Sequence, residues 1–416
     1  MLLAVILRRL FLISLLALPQ VYWLGRAWRL TGQSRFGRTG LWIGRVLIVM
    51  AIGAMAADLY DRISVRFLPE AVSYAIAPAV QLWIFSSTFA FFLTKGLHGG
   101  VWCLTRIAAL FREPVARTPD DFSRRDVLHR LASVAATAPF WAAAYGYSFE
   151  RLHFEVERVE VPIASLPPAL DGLRIMQISD IHAGDLMTKR DIRRAIGMAN
   201  ELEPQLAVIT GDFISSRGDP LEGCICEIAR LLAPLGAWGC NGNHEIYAGA
   251  EDEAAALFAK FGMRLLRSSA AQLKWNGASL NLIGIDYQRV PFNGRSIPTL
   301  GGAETLVRRD LPNILLSHNP NTFYSAAAAG VELSLAGHTH GGQVSVEILH
   351  RELNPARFLT SFVAGLYNLP MKGSNPATSM QAQLYVNRGL GTLGFPARIG
   401  SRPEITLLTL RTARPS

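Results

Sequence analysis

The N-terminal third of the chain alternates long apolar runs with polar loops that carry arginine. Four runs approach the ~17–25 residues that a helix needs to cross a bilayer. They are Met1–Leu24, Leu41–Ala57, Ala71–Thr94 and Val127–Tyr147. A fifth run, Leu97–Phe111, is shorter and carries His98 and Arg106, which predicts an interfacial helix. Burial of some runs in a soluble core is the alternative, but four runs before any strand pattern favour about four transmembrane spans within residues 1–150.

From Leu152 the pattern changes to short apolar strands that alternate with amphipathic stretches, which predicts an α/β domain over residues 151–416. Five predicted strands stop at polar residues. The stretches are "LRIMQISDIHAGD" with Asp180 and His182, "PQLAVITGDFI" with Asp212, "LGAWGCNGNHEIY" with Asn243 and His244, "LPNILLSHNP" with His318, and "VELSLAGHTHGG" with His338 and His340. Each ending alone is explained by a turn or a hydrogen-bonded histidine. Together they hold five of the nine histidines.

These polar endings predict one shared site. The carboxyl ends of strands in an open sheet converge on one edge, where ligands bind. Histidine, carboxylate and amide oxygen together suit divalent transition metals. The four cysteines show no paired spacing, so neither a disulfide framework nor a thiolate zinc site is indicated. The sequence therefore predicts a metal centre with nitrogen and oxygen ligands.

The net charge of +9 is concentrated in the apolar part of the chain. Residues 1–150 hold 16 Lys and Arg against 8 Asp and Glu, whereas the rest holds 25 against 24. Because the positive charge lies between apolar runs and not on the folded part, it indicates membrane topology and no nucleic-acid partner. The loops 25–40 and 95–130 are rich in arginine, so the positive-inside rule makes them cytoplasmic. The domain after residue 150 is then expected across the membrane.

The segment "SRRDVL", Ser123–Leu128, stands immediately before the last apolar run. It resembles a twin-arginine export signal, whose paired arginines are recognised by a receptor that moves folded domains. The alternative is a plain cytoplasmic anchor of positive charge, since such a signal normally stands at the N-terminus. Both interpretations put the following domain on the same side of the membrane.

The ordered motifs D-x-H, G-D, G-N-H-E, S-H and G-H-T-H resemble those of the calcineurin-like metallophosphoesterases, over roughly residues 165–410. "GHTHGGQV" and the tail "YVNRGLGTLGFPARIGSRPEITLLTL" look like the membrane-associated bacterial branch, some of whose members hydrolyse UDP-2,3-diacylglucosamine in lipid A synthesis. The resemblance implies an α/β four-layer sandwich, two sheets flanked by helices, after an N-terminal transmembrane region. It also implies the bacterial cytoplasmic membrane, with the catalytic domain on the periplasmic side by the charge argument above.

The resemblance further implies two divalent metal ions, which could be Mn, Fe or Zn. Carried over by motif, Asp180, His182 and His340 would hold the first, and Asn243, His318 and His338 the second. Asp212 would bridge them. His244 is the family's non-ligand histidine, expected to donate a proton to the leaving oxygen or to stabilise charge in the transition state. Hydrolysis would proceed by attack of a metal-bridging hydroxide on phosphorus.

Several other residues are weaker candidates. Arg388 and Arg398 are expected either to pair with a substrate phosphate or to be structural. Glu245 is expected either to support the metal ligands or to be structural. The apolar stretch Pro355–Gly373 is expected to be ordinary packing, the wall of an acyl-chain groove or a bilayer contact.

The motifs favour a membrane-tethered phosphodiesterase or pyrophosphatase that acts on a lipid-linked or cell-envelope phosphate ester, with no protein partner predicted. One alternative is the UDP-2,3-diacylglucosamine hydrolase itself, which would need the domain inside the cell. Its soluble relatives also begin almost directly at the D-x-H motif, whereas about 180 residues precede Asp180 here. The alternative of another class is an inactive metal-binding scaffold, but every expected ligand is present.

Overall fold

The computed structural model describes residues 2–32, 37–63, 69–110, 127, 131, 133–288, 298–348, 351–358, 360–371 and 381–413. It divides into two compact units, Met1–Tyr147 with Gly394–Pro396, and Ser148–Leu393 with Ala397–Ser416. The first unit is helical and the second carries every strand of the described residues. Of the segment Ser123–Leu128, only Val127 lies within the described residues, so its use as an export signal stays a prediction.

The described residues of the helical unit form three long helices and one short one. They are α1 (Leu2–Thr31), α2 (Gly37–Ile63), α3 (Glu70–Leu110) and α4 (Ala138–Tyr145). Among the described residues, two segments are long and apolar enough to cross a bilayer, Gly37–Tyr60 in α2 and Ile76–Ile107 in α3, with mean hydropathies of 1.9 and 1.6. About four spans therefore stay a prediction, and two of them coincide with segments that meet both the length and the hydropathy of a span.

The expectation of a separate interfacial helix over Leu97–Phe111 is wrong. Helix α3 runs without a break for 41 residues, through Lys95 and Gly96, which separate the two apolar runs in the sequence. A helix of that length is about 60 Å long, well beyond the ~30 Å of a hydrocarbon core. Each glycine costs a helix only about 1 kcal/mol and lacks the steric clash of proline, so the helix continues past Gly96, Gly99 and Gly100.

The second unit contains the strands and the remaining helices. The strands are β1 (Glu155–Ile163), β2 (Arg174–Ile178), β3 (Leu206–Ile209), β4 (Ala237–Gly239), β5 (Arg264–Leu265), β6 (Ser269–Trp275), β7 (Ala278–Gly284), β8 (Asn313–Leu316), β9 (Leu333–Ala336), β10 (Val346–Ile348), β11 (Arg351–Leu353), β12 (Gly365–Pro370), β13 (Gln381–Val386) and β14 (Glu404–Thr412). The helices are α5 (Lys189–Asn200), α6 (Leu221–Ile228), α7 (Asn243–Ala248), α8 (Glu251–Lys260) and α9 (Phe323–Ala329).

Two six-stranded sheets form the centre of this unit. Their orders are β1-β14-β2-β3-β4-β5 and β12-β13-β9-β8-β7-β6, and β10 and β11 form a separate hairpin. Strands β2, β3 and β4 are parallel to one another, and so are β7, β8 and β9. The parallel strands are short and buried on both faces, which is why they appear in the sequence as continuous apolar runs.

Successive side chains of β2 show how the layers are built, because they point to opposite faces of the sheet. Ile175 packs between the two sheets with Leu282 and Leu333, whereas Met176 faces the outer helices and packs with Ile196. Helices α5, α6 and α8 cover the first sheet, and α9 covers the second. The order helix, sheet, sheet, helix confirms the expected four-layer sandwich.

All five strands expected to end at polar residues are present, as β2, β3, β4, β8 and β9. Three belong to the parallel part of the first sheet and two to that of the second. The first candidate ligand of each ending lies within a few residues of the last strand residue. The fold therefore brings polar loops from both sheets to one edge of the sandwich.

Candidate metal centre

The polar endings of the five strands meet in one cluster. Three overlapping groups of side chains offer ligand atoms that lie within 4.8 Å of one another. The groups are Asp180, His182 and His340; His182, Asp212 and His244; and Asp212, His318 and His338. His182 and Asp212 each belong to two groups. The three groups therefore form one continuous cluster of candidate metal ligands.

The backbone of this cluster is unusual. Asp180, His182, Asp212, His338 and His340 all have φ between 47° and 75°. A positive φ is uncommon for residues other than glycine and costs of order 1–3 kcal/mol, and such residues concentrate at functional sites. The tight loops that follow the strands impose these conformations, so the sandwich holds the five side chains in place at the expense of backbone strain.

Glycines let the loops approach the two buried aspartates. A Cβ on Gly242 would overlap the side chain of Asp212, and a Cβ on Gly337 would overlap that of Asp180. Only glycine fits at a backbone position that close to a carboxylate.

We expect Gly242→Ala to displace Asp212 and to lower metal affinity by roughly 10–100-fold, the scale of losing a supporting contact in a metal site. Equilibrium dialysis with Mn²⁺ would measure it. Gly197, whose Cβ meets open space in α5, gives the matched control Gly197→Ala. Unchanged affinity in Gly242→Ala would contradict the close packing described here.

Backbone and hydroxyl groups orient the histidine rings. The Nδ1 of His318 lies 2.6 Å from the carbonyl oxygen of Thr210, which can only accept, so His318 carries its proton there. The Nδ1 of His182 lies 3.0 Å from Ser215 Oγ. In each ring the Nε2 then points into the cluster. Hydrogen bonds to the outer nitrogen orient the histidine ligands of metal sites in the same way.

The inward-facing atoms are crowded. The Nε2 atoms of His182 and His340 are 3.1 Å apart, and Nδ1 of His338 is 3.2 Å from Nε2 of His318. Nε2 of His318 is 3.0 Å from Asp212 Oδ2, and Nε2 of His182 is 3.7 Å from the same oxygen. The ring nitrogens of the histidines and the carboxylate oxygen of Asp212 thus converge on the same small volume.

Burial keeps most of these rings neutral. It lowers the pKa of His182 and of His338 to about 3 and that of His340 well below its usual range. For His318 burial also disfavours the charge, but Asp212 and Asp180 outweigh it and raise the pKa to about 10. A proton on His318 Nε2 stands where a cation would interact with the same carboxylates.

Asn243 provides a separate test of whether the residues fit a metal. Its Oδ1 is buried and has no hydrogen-bond partner among the described residues. A buried amide oxygen without a partner is costly, and a cation is one group that would satisfy it. With two carboxylates, neutral imidazoles and this oxygen, the donor set fits divalent transition metals.

A protein-family model, calcineurin-like phosphoesterase, matches residues 173–342. Residues 173–342 therefore form a calcineurin-like phosphoesterase domain. A transmembrane protein with metallophosphoesterase domain from Danio rerio is 32% identical over 65% of this chain and 60% of its own length. The metallophosphoesterase YkuE of Bacillus subtilis is 29% identical over 70% of this chain and 98% of its own.

The likeness also extends over longer stretches of the chain. A metallophosphoesterase of Helicobacter pylori is 25% identical over 87% of this chain and 88% of its own length. A Bos taurus relative with the same description as the Danio rerio protein is covered over 57% of its length, so the chain spans about 60% of the first two relatives it matches.

Within the metallophosphoesterase domain, Glu245 fixes the loop that carries Asp212. Its buried carboxylate accepts hydrogen bonds from the backbone N–H groups of Asp212, Phe213 and Gly242, at 2.9, 2.8 and 2.8 Å. Glu245 thus ties the loop after β3 to the start of α7.

We expect Glu245→Gln to leave a backbone N–H facing an NH₂ group and to lower the free energy of unfolding by roughly 1–3 kcal/mol. Denaturant titration would measure this loss. Glu253→Gln, on the exposed side of α8, makes the same change of charge without such contacts and should have little effect. Equal stability of the two variants would contradict the role given to Glu245.

His244 lies at the border of the cluster and is half-buried. Its Nδ1 is 2.5 Å from the carbonyl oxygen of Ser215, so the proton sits on Nδ1 and Nε2 is the free end of the ring. Its backbone N–H donates to Asp212 Oδ1 at 2.9 Å. The ring stands edge-on to that of His182, with centroids 4.8 Å apart. This position is compatible with a metal ligand or with a proton donor beside the metals.

The two candidate arginines make internal contacts. Arg398 is fully buried and donates to the backbone carbonyls of His340, Gly391 and Ser401. Arg388 forms ion pairs with glutamates, among them Glu404 at 3.0 Å. These contacts favour the structural interpretation that the sequence left open. Arg398 supports the loop after β9 directly, because it donates a hydrogen bond to the carbonyl of His340.

Part of the stretch Pro355–Gly373, at Val363, contacts the loop that carries His338 and His340. The carbonyl of Val363 accepts a hydrogen bond from Thr339 Oγ1, at 2.5 Å, and Phe362 is packed in the core beside α9. Phe358, by contrast, is 93% exposed. Ordinary packing therefore explains Phe362 and Val363 but not Phe358.

The sequence did not point to four residues that surround the cluster, namely Thr210, Ser215, Tyr247 and Tyr287. Thr210 acts through its carbonyl, which side-chain motifs cannot reveal. Ser215 stands three residues after Asp212, and Tyr247 follows Asn243 by four residues, which places it on the same helix face. That spacing was a usable indication for Tyr247. Nothing in the sequence around Tyr287 indicates its place.

Proposed function

We propose that this protein is a membrane-tethered, binuclear-metal phosphoesterase that hydrolyses a phosphodiester or pyrophosphate bond in a lipid-linked or cell-envelope substrate. The observation that carries the proposal is the sharing of Asp212 between ligand groups from both sheets. A carboxylate shared by two sets of histidines is the arrangement that a two-metal phosphoryl-transfer site requires.

Asp180, His182 and His340 would hold one cation, Asn243, His318 and His338 the other, and Asp212 both. The bound cations supply Lewis acidity that activates water and neutralises charge on the phosphoryl oxygens. The chain positions them: Thr210 and Ser215 turn two imidazoles inward, Glu245 fixes Asp212, and Arg398 fixes the backbone of His340. Neutral Asn243 contributes oxygen without a charge that would repel the substrate.

His244 acts as the proton donor to the leaving oxygen. The carbonyl of Ser215 retains the Nδ1 proton, so a second proton on Nε2 is the one that can be transferred. The resulting neutral ring keeps its hydrogen bond to Ser215 and does not need to move. This gives the residue a function distinct from those of the seven side chains that would hold the metals.

The apolar helices support the tether. Segments of α2 and α3 meet the length and composition of membrane spans, and relatives from Danio rerio and Bos taurus are named transmembrane proteins. The excess of Lys and Arg in residues 1–150 favours an outward-facing metallophosphoesterase domain. A tethered enzyme is confined to the surface where lipid-linked and envelope phosphates occur.

A pair of reporters tests the orientation. Alkaline phosphatase, which is active only outside, and green fluorescent protein, which is fluorescent only inside, would each be fused after Ser416. Phosphatase activity without fluorescence is the expected result. Fluorescence alone would put the domain in the cytoplasm and favour the UDP-2,3-diacylglucosamine hydrolase.

The activity is tested with the full chain in detergent, reconstituted separately with Mn²⁺, Fe²⁺ and Zn²⁺. The panel contains phosphomonoesters, phosphodiesters, UDP-2,3-diacylglucosamine and lipid-linked pyrophosphates. We expect hydrolysis of diesters or pyrophosphates in proportion to metal content. Full metal occupancy with no hydrolysis of any compound would favour the inactive scaffold.

A further inference from the structure

Two tyrosines form an arc beside the metal cluster. The ring of Tyr287 lies 5.6 Å from that of His338 and 6.3 Å from that of His318, measured between centroids. The ring of Tyr247 lies 6.1 Å from Tyr287 and 6.3 Å from His244. The arc thus extends from the side of one proposed cation to the proposed proton donor.

Tyr247 is presented by the helix that also carries two residues of the site. In α7, Tyr247 follows Asn243 by four residues and His244 by three, so the three side chains share one face. Tyr247 is 60% exposed, whereas Asn243 is buried. The helix therefore points one ligand candidate inward and holds an aromatic ring at the solvent side of the proton donor.

Tyr287 is held on an anchored backbone. The preceding residue, Asp286, accepts a hydrogen bond from Asn241 Nδ2 at 2.9 Å and pairs with Arg267 Nε at 2.7 Å. Asn241 stands at the end of β4, two residues before Asn243. The backbone beside Tyr287 is thereby linked to the loop that presents the amide ligand.

The two tyrosines are also linked to each other. Their side chains form a hydrogen bond, and partial burial together with this bond raises the pKa of Tyr287 above its ordinary value. The hydroxyl stays protonated and neutral, so the pair adds no charge to the site. Neutral rings beside a polar centre are suited to stacking and to apolar contact with a substrate.

We propose that Tyr247 and Tyr287 form a subsite that holds a planar or ring-bearing group attached to the substrate's phosphorus, on the side from which the leaving group departs. The inference rests on the proposed function, because it places that group next to His244, the donor to the leaving oxygen. It narrows the substrate class to phosphate esters with an aromatic or other flat group, in preference to those with short alkyl groups.

Two non-hydrolysable probes test the subsite without turnover. Phenylphosphonate and ethylphosphonate carry the same anionic head on a C–P bond, and differ in the group that would contact the tyrosines. Their dissociation constants would be measured by titration calorimetry on the full chain loaded with Mn²⁺. Wild-type protein should bind phenylphosphonate more tightly. Equal affinities would overturn the proposal.

The variants are Tyr247→Ala, Tyr247→Phe and the control Phe149→Ala, which removes a similarly exposed ring, 68%, from the start of the domain. Tyr247→Ala should weaken phenylphosphonate by roughly five- to tenfold, the scale of an aromatic contact, with ethylphosphonate unchanged. Tyr247→Phe should retain most of the affinity, and the control should match wild type.

Equal weakening of both probes in Tyr247→Ala would assign the effect to the metal site and overturn the subsite, and so would no weakening. Metal content of each variant is measured in parallel. Because binding does not need hydrolysis, failure of the subsite is distinguished from failure of the proposed function, which is tested by turnover in wild-type protein.

Discussion

Asp212→Asn is expected to lose hydrolytic activity by roughly 10²- to 10³-fold, the scale of removing one preorganised electrostatic contact, and to bind less metal at both positions. The substitution keeps the size of the side chain and Oδ1, which accepts from the His244 N–H at 2.9 Å. It removes the charge at Oδ2, which faces His318 at 3.0 Å and His182 at 3.7 Å. Because this oxygen faces ligand candidates from both sheets, its loss affects both cations.

The measurement combines metal content by mass spectrometry with initial rates on the best substrate. Asp310→Asn, an exposed carboxylate paired with Arg308, is the control and should match wild type in both. Thermal unfolding in the absence of metal confirms that the variant folds. If Asp212→Asn keeps two metals per chain with a normal rate, the bridging role is wrong.

His244→Ala is expected to lower kcat by roughly 10²- to 10⁴-fold, the usual contribution of a general acid, while metal content stays close to wild type. The half-buried ring is at the border of the cluster, where one nitrogen is committed to the Ser215 carbonyl. Its distance from His182 and Asp212 also permits metal binding. Loss of a proton donor lowers the rate alone, whereas loss of a metal ligand lowers both the rate and the metal content.

A leaving-group series separates them further. Loss of a proton donor should matter most for esters with a poor leaving group, such as an alkoxide, and least for p-nitrophenolate, which departs without protonation. Loss of a ligand should slow both. His153→Ala, an exposed histidine outside the cluster, is the control. Parallel loss of rate and metal, independent of the leaving group, would make His244 a ligand.

The apolar pattern predicted much of the sandwich and the composition of the cluster. Buried parallel strands appear in the sequence as apolar runs, and a polar residue such as Asp212 is conspicuous after β3 because every residue of that strand is apolar. The convergence of Asp180 and His340, 160 residues apart, followed from where strand ends meet.

The residues that support the cluster could not be predicted, because they depend on tertiary contacts that leave no periodic pattern in the sequence. Arg398 is an ordinary arginine in the sequence, and only the folded chain surrounds it with carbonyls. The carbonyl of Thr210 orients His318 whatever the side chain of residue 210 is. In α3, Lys95 and Gly96 resembled a boundary, but neither residue forbids helical backbone, so the local pattern could not locate the true end.

Helix α7 assigns four tasks to five consecutive positions. Asn243 is a proposed metal ligand through its buried Oδ1, His244 is the proposed proton donor, Glu245 accepts hydrogen bonds from the loop after β3, and Tyr247 faces the solvent. An insertion or deletion of one residue would rotate the later side chains by about 100° and misplace several of them. Position 247 is therefore the place in this segment where the side chain can change without displacing a proposed ligand or the loop contact. Directed evolution of a new substrate preference should begin there.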